Sequence, residues 1–377
     1  MKIILIGTAH PFRGGLASFN ERLMMQFQRD GHEVIILNFT IQYPSFLFPG
    51  KTQFSDSPPP ENLRIIRRVN AVNPFSWIGN GFYILSQQPD IILFKYWLPF
   101  MAPCFGVISW LAGWRKSIKR LAILDNIIPH EKRFSDTILT SFFVSQIDGF
   151  LAMSQSVASD LKRFSIKKKC LLSPHPLFDN FGPPIDKKLA RQHVGLLEEQ
   201  KVLLFFGFIR PYKGLDLLLD AMAKIHQSDL KLIIAGEFYT DEKPYFQMAE
   251  KLGIADKLIW KNHFISNEEV GLYFCAADLI VQPYKHATQS GVTQIAYHFE
   301  KPMIVTDVGG LAEIVPDGVS GYLVKPDASE IAEKVDYFFD HPDQVEILQN
   351  GLLQEKKKYL WSVMTKNLID LSQKIEK

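Results

Sequence analysis

Residues 202–236, VLLFFGFIRPYKGLDLLLDAMAKIHQSDLKLIIAG, decide the fold. Val202–Phe206 is an unbroken apolar run that stops at Gly207, which reads as a buried strand. Leu215, Leu218, Leu219, Met222 and Ile225 recur at three- and four-residue steps, which predicts a helix over 215–226. Leu232–Ala235 is a second apolar run, stopped by Gly236. A strand, a helix and a strand in this order make a parallel pair whose crossover covers one face of the sheet.

The rhythm continues downstream. Phe246–Leu252 reads as a helix and Leu258–Trp260 as a short strand. Ser266 and Glu269 have capping-box spacing and open a helix that runs to Ala276. Leu279–Val281 and Met303–Val305 are two more strands, and the polar tail 328–377 reads as helical with a break at Pro342. Upstream the same pattern occurs independently: strand Ile3–Gly7, helix Leu16–Arg29, strand Glu33–Leu37, then short buried runs at 91–94, 121–124 and 149–152. Pro and Gly cluster over 174–184, and Lys187–Glu199 reads as a polar helix beyond them. The expected class is therefore α/β, as two tandem Rossmann-like domains: 1–180, and 187–357. Such sheets bind ligands beyond the carboxyl ends of their strands, and two facing units would form a cleft. The loops at 43–60 and 70–81 carry no readable pattern.

Composition agrees with this class. The chain has 377 residues, 47% hydrophobic and 22% charged, which excludes a disordered chain. Its net charge of +2 argues against a nucleic-acid-binding surface. Cys104, Cys170 and Cys275 show no paired spacing, so each reads as a small buried residue in a reducing compartment, with no metal site. The N-terminal apolar run is too short for a signal peptide. Trp97–Trp114 is apolar but interrupted by Pro99, Pro103, Gly106 and Gly113, which reads as a buried helix. The Arg115–Arg120 basic cluster behind it suits, as a second reading, peripheral contact with an anionic membrane surface.

Four loops carry candidate chemistry. In the first, Gly14 and Gly15 close the loop 7–15 and open a helix, whose free N–H groups suit a phosphate or an acceptor hydroxyl. Its spacing is not the dinucleotide fingerprint. In the second, Gly207 and Gly214 flank Arg210 and Lys213, a fork and a point charge for a diphosphate. The third, Thr288, Gln289, Ser290, Gly291 and Val292, opens a helix with small and hydroxyl residues, suited to an anion or to ordinary capping. In the fourth, Asp125 stands at a strand end and His130 is placed for proton transfer.

These residues resemble the retaining, family-4 type of GT-B-fold glycosyltransferases (glycosyl transferases group 1). The resemblance lies in 7–34 (GTAHPFRGGLASFNERLMMQFQRDGHEV), 205–222 (FFGFIRPYKGLDLLLDAM) and 276–324, the long region around TQSG. It implies sugar transfer from a nucleotide-sugar donor, a UDP- or GDP-sugar, to a saccharide or lipid-linked acceptor with retention of configuration. No metal and no tightly bound cofactor are implied. The implied setting is polysaccharide biosynthesis in the cytoplasm, at the cytoplasmic face of a membrane for a lipid-linked acceptor. The N-terminal domain would bind the acceptor, joined by a C-terminal helix at about 358–377, and the second domain would bind the donor.

Residue by residue, Lys213 matches the family's phosphate-binding lysine and Gly15 its N-domain glycine. The family's arginine position holds Phe208, with Arg210 two places on as a replacement. The family's two glutamates, eight residues apart, fall near Ala287 or Thr288 and near Ile295 or Ala296, so neither is present. Asp125 stands where many relatives have a catalytic histidine, and His130 is a candidate replacement. The missing glutamates keep two alternatives open: a nucleotide-sugar epimerase on the same fold, and a non-catalytic sugar-nucleotide-binding protein.

Overall fold

The computed structural model describes residues 1–43, 54–55, 58–128, 134–164, 167–287 and 290–375. The chain divides into two compact units, Met1–His175 with Leu360–Lys377, and Pro176–Tyr359.

The first unit runs β1 (Lys2–Ile6), α1 (Gly15–Arg29), β2 (Glu33–Ile41), β3 (Ile65–Asn70), α2 (Pro74–Gln87), β4 (Ile91–Tyr96), α3 (Ala102–Ala112), β5 (Lys119–Leu124), α4 (Phe134–Ser145), β6 (Gly149–Ala152), α5 (Gln155–Lys162) and β7 (Lys169–Leu172). Its seven strands are all parallel, in the order β3-β2-β1-β4-β5-β6-β7. Residues 3–6 of β1 are fully buried and alternate between two cores. Ile4 and Ile6 face one core, while Ile3 and Leu5 face the other, as expected for a central parallel strand covered on both faces.

The second unit runs α6 (Lys187–Val194), β8 (Lys201–Phe206), α7 (Leu215–Lys224), β9 (Leu230–Ala235), α8 (Lys243–Lys251), β10 (Leu258–Lys261), α9 (Asn267–Ala276), β11 (Leu279–Gln282), α10 (Gly291–His298), β12 (Met303–Thr306), α11 (Leu311–Ile314), β13 (Gly321–Val324), α12 (Ala328–Asp340) and α13 (Pro342–Lys356). Its six strands are parallel, ordered β10-β9-β8-β11-β12-β13. The last helix, α14 (Trp361–Gln373), belongs to the first unit. There Trp361, Met364, Leu368 and Leu371 join Ile3 and Leu5 in one core.

Several expectations need correction. Residues 70–81 are not a loop, because β3 ends at Asn70 and α2 starts at Pro74. The Asn73 side chain accepts from the Phe75 N–H at 3.0 Å, and proline occupies the first helical turn. The helix expected over 187–199 stops at Val194, where Gly195 turns left-handed at φ 81°. Pro342 opens a helix rather than only breaking one. Cys104 and Cys275 are buried, but Cys170 on the edge strand β7 is exposed. The stretch 97–114 holds a single 3-10 turn, Pro99–Met101, and the short helix α3. Among the described residues no helix is long and apolar enough to cross a membrane. Within the basic cluster, Arg120 is paired with Asp148, and Lys119 Nζ donates to the Ile375 carbonyl at 2.6 Å.

Candidate functional site

Strand order fixes where ligands belong in such sheets. In the first unit the chain moves outward from β1 through β2 to β3, then returns to β4 on the other side. In the second it moves from β8 through β9 to β10 and returns to β11. The crevice at each reversal is the expected ligand position. The loops after β1 and β4, and those after β8 and β11, are therefore the ones to examine.

In the second unit, Gly207 ends β8 with φ 93°, a left-handed backbone that favours glycine. Its N–H donates to the Ala235 carbonyl at 2.8 Å, and the Ile209 N–H donates to that of Glu237 at 2.8 Å, so the loop is tied to the neighbouring strand end. Pro211–Lys213 forms a single tight turn, and Gly214 follows at φ 70°. A side chain at Gly214 would run into the Pro283 carbonyl, so this glycine lets the loops after β8 and β11 touch.

Lys213 is the most informative side chain in the unit. It is 9% exposed. Among the described residues its ammonium has no ion pair and no hydrogen bond, only the Tyr284 ring at 5.6 Å. A methyl on Gly207 would sit 2.8 Å from Lys213 Nζ, so the ammonium lies directly on the glycine backbone. Burial pushes its pKa down to about 8, and the nearby Arg210 guanidinium pushes the same way. A buried cation without a counter-ion is costly unless an anion completes it. Arg210 itself is exposed and lies over the Tyr239 ring at 4.8 Å.

The loop after β11 supplies the facing wall. Ser290 Oγ donates to Gln282 Oε1 at 2.6 Å and lies 3.3 Å from the Tyr284 hydroxyl, while Thr293 Oγ1 donates to the same Gln282 oxygen at 3.2 Å. The Ser290 hydroxyl is thus turned into a buried network and does not cap α10, so ordinary capping, one of the two sequence readings, does not hold for it. The amides at the start of α10 consequently have no side-chain cap. Gly291 stands exposed there, and buried Val292 reaches toward Gly207. Thr288 and Gln289 lie outside the described residues. Ile295 and Ala296, where the family's second glutamate falls, are core residues, so that position holds no polar group.

In the first unit, the loop after β1 is braced from below. Asn38 on β2 accepts from the Ala9 N–H at 3.1 Å and donates to the Ala9 and His10 carbonyls at 2.7 and 2.8 Å. Glu21 on α1 accepts from the His10 N–H at 2.6 Å, and burial pushes its carboxyl pKa upward. Asn20 donates to the Thr8 carbonyl at 2.9 Å. Gly14, at φ 106°, precedes α1 without a side-chain cap. Around Gly15 there is open space where a side chain would stand. The helix therefore presents uncapped N–H groups to an unfilled position.

Sequence reasoning missed Lys95, at the end of β4. It is fully buried, and its ammonium donates to Asp125 Oδ1 at 2.6 Å. The Phe19 ring covers it at 3.5 Å. Burial lowers its pKa, while Asp125 opposes that shift. The available signal was a lone lysine inside the apolar run IILFKY. Asp125 is accordingly the partner of a buried cation, linked through Phe19 to α1. His130 lies outside the described residues. The structure thus gathers Gly207, Arg210, Lys213 and Val292 in one unit. In the other it joins Asp125, through Lys95 and Phe19, to the helix that Gly14 and Gly15 open.

Comparison with known proteins gives a consistent result. Residues 186–353 match the family described as glycosyl transferases group 1. D-inositol 3-phosphate glycosyltransferase 2 of Catenulispora acidiphila is 28% identical over 302 residues, 72% of this chain and 68% of that one. D-inositol 3-phosphate glycosyltransferase 1 of the same organism is 31% identical over 197 residues, 49% of this chain and 47% of that one. The chain thus spans about half to two thirds of the length of these curated relatives. A glycosyltransferase of Rickettsia africae superposes with a TM-score of 0.72 at 17% identity, covering 99% and 98% of the two chains. The Anabaena protein HepE, solved in complex with UDP, gives 0.69 at 16% identity, covering 98% and 99%. At these identities the structural likeness is one of fold, the two-Rossmann-domain GT-B type.

Proposed function

From the match of residues 186–353 to the glycosyl transferases group 1, we propose that this chain transfers a sugar from a nucleotide-sugar donor to a saccharide or lipid-linked acceptor. The observation that carries this reading is Lys213, a buried ammonium with no counter-ion among the described residues, on a glycine loop at the second sheet's reversal point. The donor is assigned to the second unit and the acceptor to the first. A lipid-linked acceptor would put the reaction at the cytoplasmic face of a membrane.

In the proposed reaction the bond from the anomeric carbon to the diphosphate oxygen breaks, and negative charge grows on the departing diphosphate. Lys213, Arg210 and the uncapped amides of α10 stabilise that charge. The acceptor hydroxyl attacks on the face the leaving group vacates, and its proton passes to the departing phosphate oxygen. Configuration is then retained without an enzyme nucleophile. UDP and GDP are the donor nucleotides expected.

The test is a binding screen of nucleoside diphosphates, followed by donor turnover with soluble saccharide and lipid-linked acceptors. Transfer that needs an acceptor, and falls by orders of magnitude in Lys213→Ala without loss of folding, supports the proposal. Donor conversion with no acceptor present identifies an epimerase instead. Nucleotide binding without any turnover identifies a binding protein, the reading favoured by the apolar Ile295 and Ala296.

A further inference from the structure

The helices on one side of the first sheet carry an unusual outer surface. Neither α2, PFSWIGNGFYILSQ, nor α3, APCFGVISWLA, contains a single charged residue. A helix lying on a sheet normally keeps its outer face charged or polar. Here the outer face is aromatic. Phe82 is 51% exposed, Trp110 49%, Trp114 58% and Phe142 39%.

Three of these rings touch in series, and the fourth lies one helical turn from them on the same three-helix surface. Phe82 of α2 meets Trp114, just past α3, edge-on at 6.1 Å between centroids. Trp114 meets Trp110 at 5.4 Å. Phe142 of α4 lies directly over Gly106, one turn before Trp110 on α3. The helices are locked to one another beneath the strip: Leu111 fills the space over Gly81, and Ser109 Oγ donates to the Gln146 carbonyl at 2.9 Å. The strip is therefore part of a rigid surface and not a set of unrelated side chains.

Its rim is cationic. Arg115 and Lys116 follow Trp114 directly and are exposed. Lys168 donates to the Val144 and Ser145 carbonyls at 3.2 and 2.6 Å, at the end of α4. Two carboxylates close by in sequence are already engaged, Asp90 by the Lys2 N–H at 2.7 Å and Asp148 by Arg120. Trp97 takes no part, because its indole N–H donates to the Tyr43 hydroxyl at 2.6 Å within the core.

We propose that this strip, Phe82, Trp110, Trp114 and Phe142 with the Arg115–Lys116 rim, docks the first unit on an anionic lipid bilayer. Indole and phenyl rings enter the headgroup region, and the adjacent cations meet lipid phosphates. Charge complementarity selects this occupant. An aromatic strip edged on one side by cations matches an apolar layer beneath an anionic plane. The surface is argued independently of the transfer reaction and bears on where the chain works.

The test uses the full chain and sedimentation with vesicles of phosphatidylcholine, with and without phosphatidylglycerol. Binding is expected only to the anionic vesicles and should weaken as salt rises. Arg115→Ser and Lys116→Ser should each weaken partition about fivefold, and Trp114→Ser about tenfold. All three side chains are exposed, so the melting temperatures should hold. Should Trp114→Ser fold poorly, the two cation variants still decide the matter. Absence of binding, binding unaffected by the cation variants, or a stable dimer in sedimentation velocity that Trp114→Ser dissolves would each overturn the proposal. Turnover on a soluble acceptor should be unchanged in all three variants, so failure here and failure of the transferase reading are read separately.

Discussion

Replacing Lys213 with methionine should make the unliganded protein more stable. The native ammonium has a pKa pushed from 10.5 to about 8, mainly by burial. At about 1.36 kcal/mol per unit, this difference sets an upper bound of roughly 3.4 kcal/mol on the cost of keeping Lys213 charged. Relaxation and residual solvent access reduce it, so the expected gain for Lys213→Met is about 1–3 kcal/mol at pH 7. The sign follows from proton counts. Between pH 8 and 10.5 the unfolded lysine holds a proton that the native one has lost, so wild-type stability rises with pH through this window. The advantage of the variant is therefore full below pH 8 and gone near pH 10.5. Scanning calorimetry of the full chain at pH 7 and pH 10 reads it directly, at about 2–4 °C per kcal/mol for a unit of this size. A saturating nucleoside diphosphate should reverse the order, because only the wild type gains binding energy, about 2.7 kcal/mol at a hundredfold excess over Kd. A variant that is less stable at pH 7, or a stability gap that persists at pH 10, would refute the view of Lys213 as a cation awaiting an anion.

Three further substitutions separate folding from function. Gly15→Ala meets open space at a helix start, so its melting temperature should hold or rise slightly. Donor turnover should nevertheless fall about a hundredfold, because the methyl displaces a ligand docked on the amides; full activity would remove Gly15 from the site. Asp125→Ala strands the fully buried Lys95 ammonium and should cost about 3–5 kcal/mol in chemical denaturation. Lys95→Met should cost less, since it leaves Asp125 partly solvated. Equal costs would contradict this account of the pair. Gly214→Ala combines φ 70° with a collision against the Pro283 carbonyl and should cost more than about 2 kcal/mol, measured as a lowered melting temperature.

The fold was largely legible because its central strands are continuous apolar runs that stop at glycine, as at Gly7 and Gly207. Edge elements were harder. β3, IIRRVN, is half-buried and carries two arginines, so it lacks the apolar run of a central strand. α2 is uncharged on its outer face, so it lacks the amphipathic contrast that marks a surface helix, although Asn73-Pro74 was a capping signal in plain view. At the site, Lys213 and its glycines were legible because loop chemistry is written locally. The Lys95–Asp125 pair was not, because its members are 30 residues apart and meet only through neighbouring strands. Ser290 shows the converse: its position suggested a cap, but the buried Gln282 side chain claims its hydroxyl.

The return of α14 to the first unit has a consequence for how the chain acquires its structure. Thr365 Oγ1 donates to Asp30 Oδ2 at 2.6 Å, a bond that closes 335 residues of chain. The core containing Ile3 and Leu5 therefore stays open until residues beyond 360 have been synthesised, by which time the whole second unit has emerged. The unit encoded first is the last to be completed. Contacts this distant in sequence form slowly, so a nascent chain leaves the apolar face of β5 and β6 that α14 covers open until that helix is made.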